Sequence, residues 1–251
     1  MTLAAYSHAL AAIAYSVFAL SLLRGSLAQK NPGPAQLSFI GAIFVSAAWA
    51  LAGVAEELRV AESLAIVSGV LDLVRYLAWF IFAFVLLRPK GSNQRARTVV
   101  LSGLGATALV AIGVLVAAGA LGTDRPGGLA RNIPLASLAL PVIGLVLVEQ
   151  LFRNAAEASR WHTKPLCLGL ACIFLFDIYL HSNVLLFGQF DADSVTIRRA
   201  VHAIPVALFY VASKRHSDWS RSFQVSRDAA EVRLKVLNFI GQEQAIRSLF
   251  G

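Results

Sequence analysis

The sequence predicts an all-α membrane protein: a bundle of seven transmembrane helices with its N-terminus outside and its C-terminus cytoplasmic. Three observations carry that prediction. Of the 251 residues, 57% are apolar and only 14% charged, and the mean hydropathy is +0.68, well above what a soluble domain of this size needs to fill its core. Windows of about 19 residues, set against the roughly 20 apolar residues that cross a bilayer core, mark spans at 3–23, 37–55, 63–87, 98–121, 133–152, 165–187 and 196–213. With the N-terminus outside, 16 Lys and Arg fall in cytoplasmic segments and five, Arg59, Arg125, Arg131, Arg198 and Arg199, in the opposite loops.

No basic region precedes the first span, and Leu22–Leu23–Arg24 lacks a small-residue cleavage pattern, so this segment is a helix and not a signal peptide. Small residues in the second span (Gly41, Ala47, Ala48, Gly53) and the fourth (Gly103, Gly105, Gly113, Gly119) suit close helix contact. Pro165 falls at the first turn of the sixth span, where its missing N–H is harmless, whereas Pro134 and Pro141 in the fifth and Pro205 in the seventh should bend their helices. Turn-forming stretches lie where the spans end: NPGP at 31–34, RPKGSN at 88–93 and DRPGG at 124–128. The loops are too short to hold a domain. Residues 215–251 form a short basic tail, in which Val232, Val236, Phe239 and Ile240 recur at helical spacing; it is an amphipathic helix on the inner membrane surface or is unstructured.

The net charge of +8 fits membrane topology and attraction to anionic lipid, and no nucleic-acid motif accompanies it. Cys167 and Cys172, five residues apart on one helix, fall on different faces and are packing residues. Neither CxxC nor HxxxH spacing occurs, so no metal is expected, and no cofactor either. Trp49 and Trp79 lie within apolar runs and should pack, while Trp161 and Trp219 flank inner span ends as interfacial anchors.

Charges inside the spans are the candidate site. Asp72 and Arg75 stand three residues apart on one face of the third span, and Asp177 stands four before His181 in the sixth. Arg75 and Asp177 each lie about 18 Å from an end of their helices, near the bilayer midplane, where an unpaired charge costs about 2.5–3.5 kcal/mol. The two should therefore face the interior and share a network with Asp72, Tyr76, Tyr179 and His181. Such a network either fixes helix register or forms a sensing site, a small-ligand pocket or a protonation switch. Glu149 and Arg153 should form an interfacial pair, and His8 and His202 are expected to be satisfied interior groups.

Residues 146–227, with EQLFRN, RW, FDIYL and the segment DWSRSFQVSR, together with LVRYLAWFIFAFVLL at 73–87, resemble the membrane region of the PEP-CTERM/exosortase-system sensor histidine kinases, the PrsK family. The resemblance covers most of residues 1–227 and is weak in the first two spans. It implies a multi-pass sensor in the bacterial inner membrane, continuing into more membrane helix, a GAF-like domain and a histidine kinase core. It further implies a homodimer working with a kinase module or response regulator on exopolysaccharide genes and PEP-CTERM protein sorting. After Arg227 the sequence departs from that plan, and the 38 residues from Lys214 hold neither an ATP-binding domain nor a phosphoacceptor helix. The chain is therefore expected to be a truncated, divergent or fragmentary sensor without catalysis of its own.

Other classes fare worse. A transporter or a scaffold with no signalling role is the alternative, but the polar cluster is local and the fourth span carries no charge. A retinal photoreceptor needs a lysine within the seventh span, and Lys214 lies at its end. An intramembrane enzyme would need an HExxH, GxSxG or paired-aspartate motif, none of which is present.

Overall fold

A computed structural model of the chain describes residues 3–27, 33–58, 64–87, 102–103, 105–113, 115–116, 128–155 and 160–215. Every regular element among them is a helix: α1 (Leu3–Leu27), α2 (Pro34–Glu57), α3 (Leu64–Leu86), α4 (105–113), α5 (Gly128–Asn154), α6 (Arg160–Phe187), α7 (Ala192–Ala203) and α8 (Pro205–Arg215). Six segments are long and apolar enough to cross a bilayer: Leu3–Gly25, Pro34–Glu57, Leu64–Leu86, Ile133–Asn154, Thr163–Phe187 and Ala192–Lys214. The chain is thus a multi-pass helical membrane protein in contact with lipid. The fourth predicted span, 98–121, is described only in part, and the tail prediction for 216–251 lies outside the described residues.

Helix α1 shows how the sequence sorts lipid from interior. Leu3, Tyr6, Leu10, Ile13, Val17 and Leu20, spaced three or four residues apart, are exposed, while Ser7, His8, Ala11, Ala12, Tyr15, Phe18 and Ala19 are buried. Both faces are largely apolar, so burial here is decided by partners and not by hydrophobicity alone. Helix α1 packs on α2, α2 on α3, α3 on α5, α5 on α6, and α6 on α7 and α8, which return to α1. The order closes on itself. Helices α3 and α7 therefore face one another across the interior.

Prolines act unequally. Helix α5 runs through Pro134 and Pro141 as one element, and α6 begins at Arg160, so Pro165 lies within that helix and not at its first turn. Pro205 does interrupt: the seventh predicted span is two helices, α7 and α8, separated at Ile204.

The glycines that matter for packing match those expected only in part: a Cβ at Gly53 would fall inside contact distance of the Arg199 guanidinium. A Cβ at Gly41 or Gly113 would meet nothing within 4 Å, whereas one at Gly169 would come within 2.6 Å of the Phe209 ring and one at Gly144 within 2.6 Å of Phe174. Those glycines let α8 and α6 pack their aromatic rings flat on the neighbouring backbone. Gly169→Ala should lower stability by about 1–3 kcal/mol, because the buried Phe209 ring has no room to retreat. Gly41→Ala should leave it unchanged. Thermal unfolding in detergent checks both.

Candidate functional site

Two carboxylates and two guanidiniums close a ring in the interior. On α3, Asp72 Oδ1 accepts from Arg75 Nη2 at 2.8 Å and Nε at 3.1 Å. Arg75 Nη2 also donates to Asp177 Oδ2 on α6 at 3.3 Å. Arg198 on α7 donates from Nε to Asp177 Oδ1 at 2.7 Å, and from Nη1 to Asp72 Oδ2 at 2.9 Å. The circuit is Asp72, Arg75, Asp177, Arg198 and back to Asp72. The Tyr76 hydroxyl completes Asp177 by donating to Oδ2 at 2.5 Å. All four carboxylate oxygens are engaged, and the formal charges cancel.

Asp177 is fully buried and Arg75 only 1% exposed. Asp177 lies ten residues before the end of α6, and so about 15 Å from that end, at bilayer depth. Taking each charge out of water costs several kcal/mol, which alternating charges and charge-assisted hydrogen bonds offset. Trp49 of α2 adds a face to the cluster. Its ring centroid lies 4.4 Å from Arg75 Cζ, 5.0 Å from that of Arg199 and 5.5 Å from that of Arg198. Desolvated cation–π contacts contribute about 2 kcal/mol.

His202 joins this ring to the helix break. Arg75 Nη1 can only donate, so His202 Nδ1, 2.9 Å away, accepts and the imidazole proton sits on Nε2. Nε2 approaches Asp177 Oδ1 to 3.1 Å without hydrogen-bond alignment, so that contact is electrostatic. The backbone carbonyl of His202 accepts from the Tyr15 hydroxyl of α1 at 2.8 Å.

A second polar cluster lies nearer the α6–α7 connection. Arg199 Nη1 donates to His8 Nε2 at 2.7 Å, which places the His8 proton on Nδ1, where it donates to Gly53 O at 2.9 Å. Arg199 Nη2 reaches Ser68 at 2.8 Å and lies 3.8 Å from Glu56. Gly53 gives the Arg199 guanidinium its place, since a Cβ there would push it aside. The two histidines are thus held in opposite tautomers by the arginines that face them.

Of the residues singled out from sequence, Asp72, Arg75, Tyr76 and Asp177 come together. Two do not join them. Tyr179 is 52% exposed and points away, because α6 turns it about 160° from the Asp177 face after two residues of roughly 100° each would place it on the other side. His181 forms no hydrogen bond through its buried Nδ1, and its expected place beside Asp177 is taken by His202. Glu149 and Arg153 pair at 3.2 Å, with both side chains more than half exposed. Trp49, expected only to pack, is the platform for three guanidiniums. Trp161 is 71% exposed, with Lys164 Nζ 4.9 Å from its ring. Trp219 lies outside the described residues. Cys167 is buried and Cys172 partly so, both as free thiols.

Arg198 and Arg199 are the residues that sequence reasoning missed, while His202, expected as a satisfied interior group, is buried and accepts from Arg75. Both arginines sit at the edge of the 196–213 span and count by sequence with the loop charges, whereas α7 begins at Ala192 and carries them within the helix. The signal was local: Asp191 caps the helix by accepting from Ser194 N at 3.2 Å, and Ser194, Arg198 and His202 then recur every fourth residue on one polar face. Among the described residues no group of three or more His, Cys, Asp or Glu side chains is placed to hold a metal ion.

Asp177→Asn and Arg198→Gln should each destabilise by about 3–5 kcal/mol, by leaving a buried partner uncompensated. The double change should cost at least about 1 kcal/mol less than their sum, measured by unfolding in detergent. Hydrogen bonds from Ser194 hold the Asp191 carboxyl below its usual range. Its folded-state affinity for a proton is lower than in the unfolded chain, so its contribution is present above the ordinary carboxylate range and is lost as pH falls through and below it. The stability difference between the native chain and Asp191→Ala should shrink on that acid side. No family model, curated protein or solved structure matches this chain.

Proposed function

We propose that the chain is the membrane-embedded sensory or regulatory region of a two-component histidine kinase system of the PEP-CTERM/exopolysaccharide type. It sits in the bacterial inner membrane with seven spans, the N-terminus outside and the C-terminus cytoplasmic, and passes its state to a cytoplasmic kinase module or response regulator. The observation that carries this reading is the charge ring. Neutral as a whole and drawn from α3, α6 and α7, it ties three helices through one set of buried ion pairs, so that a signal which opened it would reach all three at once.

What lies beyond the ring favours sensing over transport. Toward the far end of the bundle the interior is filled by Phe18, Phe39, Trp79, Phe82 and Phe209, whose rings touch at centroid distances from 5.0 to 6.3 Å. A solute path needs polar groups from side to side, and here an aromatic layer succeeds the charges. The orientation rests on the Lys and Arg bias of the sequence, 16 on one side against five on the other.

The test is transcription of exopolysaccharide genes in the native host. Deleting the chain, or introducing Asp177→Asn, should change a reporter by at least about fivefold, the lower range of an allosteric coupling. A reporter indifferent to deletion overturns the reading, as does proton flux through protein-containing liposomes well above that of empty ones.

A further inference from the structure

The two halves of the last span are held by different physics. In α8 the buried face is apolar, made of Val206, Phe209 and Ala212, with Phe209 seated on Gly169 of α6. In α7 the buried residues are Ser194, His202 and Ala203. Ala203 is the one buried apolar side chain of α7, with Ala200 and Val201 partly buried. Its attachment is polar: Arg198 to Asp72 and Asp177, Arg199 to His8 and Ser68, His202 to Arg75, and the Ala200 N–H to Ser7 Oγ at 3.0 Å.

Both ends of α7 are places where the chain can turn. Gly188 precedes it with φ +75°, a conformation natural to glycine. At the other end Pro205 has no N–H to give the Val201 carbonyl, so Ile204 N takes that acceptor at 3.3 Å and the helical ladder between α7 and α8 is interrupted.

We propose that α7 is a charge-held latch: a half-span that leaves the bundle as a unit, swinging about Ile204–Pro205, when the ring of Asp72, Arg75, Asp177 and Arg198 opens. The apolar half, α8, stays seated. Because His202 contributes its ring to the charge cluster and its carbonyl to Tyr15 beside the break, opening the ring and freeing the hinge are one event. The latch gives the proposed signalling reading its moving part, yet its evidence is the packing of α7 alone.

Hydrogen exchange of the full chain in lipid nanodiscs tests it. A helix of twelve residues is marginal by itself, so release exposes its amides. Arg198→Gln should speed exchange across residues 194–203 at least about tenfold more than across residues 166–180 of α6 and 206–213 of α8. Loosening of α6, α7 and α8 together, or no change in α7, overturns the proposal. A second arm needs no disruption of the ring. With Cys167→Ala and Cys172→Ala in place, Ser7→Cys paired with Ala200→Cys ties α7 to α1. Oxidation should slow α7 exchange in the otherwise native chain, and equal rates in oxidised and reduced protein overturn the latch. A latch that responds while the exopolysaccharide reporter stays flat removes the signalling reading and leaves the latch standing.

Discussion

Burying Asp177 is the constraint around which the interior is arranged. A carboxylate with no exposed surface at bilayer depth needs cations and donors on every side, and no single helix supplies them. Arg75 and Tyr76 arrive from α3, Arg198 and His202 from α7, so segments more than a hundred residues apart must converge. Asp72 then neutralises the surplus positive charge. Since α3 and α7 are not adjacent in the circuit of helices, the ring sets the distance across the bundle and the rotation of both helices about their axes.

Below the ring the chemistry changes completely. Edge-to-face contacts among Phe39, Trp79, Phe82 and Phe209 fill the volume with rigid, apolar groups. The upper half of the bundle is specified by charge and hydrogen bonding, the lower half by shape. The division cuts through the last span at Ile204, and that is why its two halves differ in what holds them. Packed aromatic layers move little, whereas a polar attachment is broken or kept as a set, since each lost partner leaves another buried charge exposed to apolar surroundings.

The helical membrane class was legible because long apolar runs have few other physical solutions. So were Asp72, Arg75, Tyr76 and Asp177, because a charge in such a run demands a partner and spacing names the candidates. What escaped were the donors whose position depends on a helix boundary. Arg198 and Arg199 depress the hydropathy at the start of the last span and so read as loop charges, because a hydropathy window cannot see that other helices neutralise them. The Asp191–Ser194 cap carried the missing information. His181 misled for the opposite reason: its spacing from Asp177 was right, but a tertiary partner, His202, lies closer. Gly53 and Gly169 stand apart from their glycine neighbours only through Arg199 and Phe209, which lie far off in sequence.

The central claim is that both aspartates are ionised and paired inside the bundle. Infrared spectroscopy of protein labelled with 13C at the aspartate side-chain carboxyl reads that state directly, with Asp72→Asn and Asp177→Asn assigning the bands. At neutral pH the account predicts carboxylate stretching bands lost one by one in the two variants, and no protonated carboxyl band at either position. A protonated carboxyl band that vanishes in Asp177→Asn would contradict it.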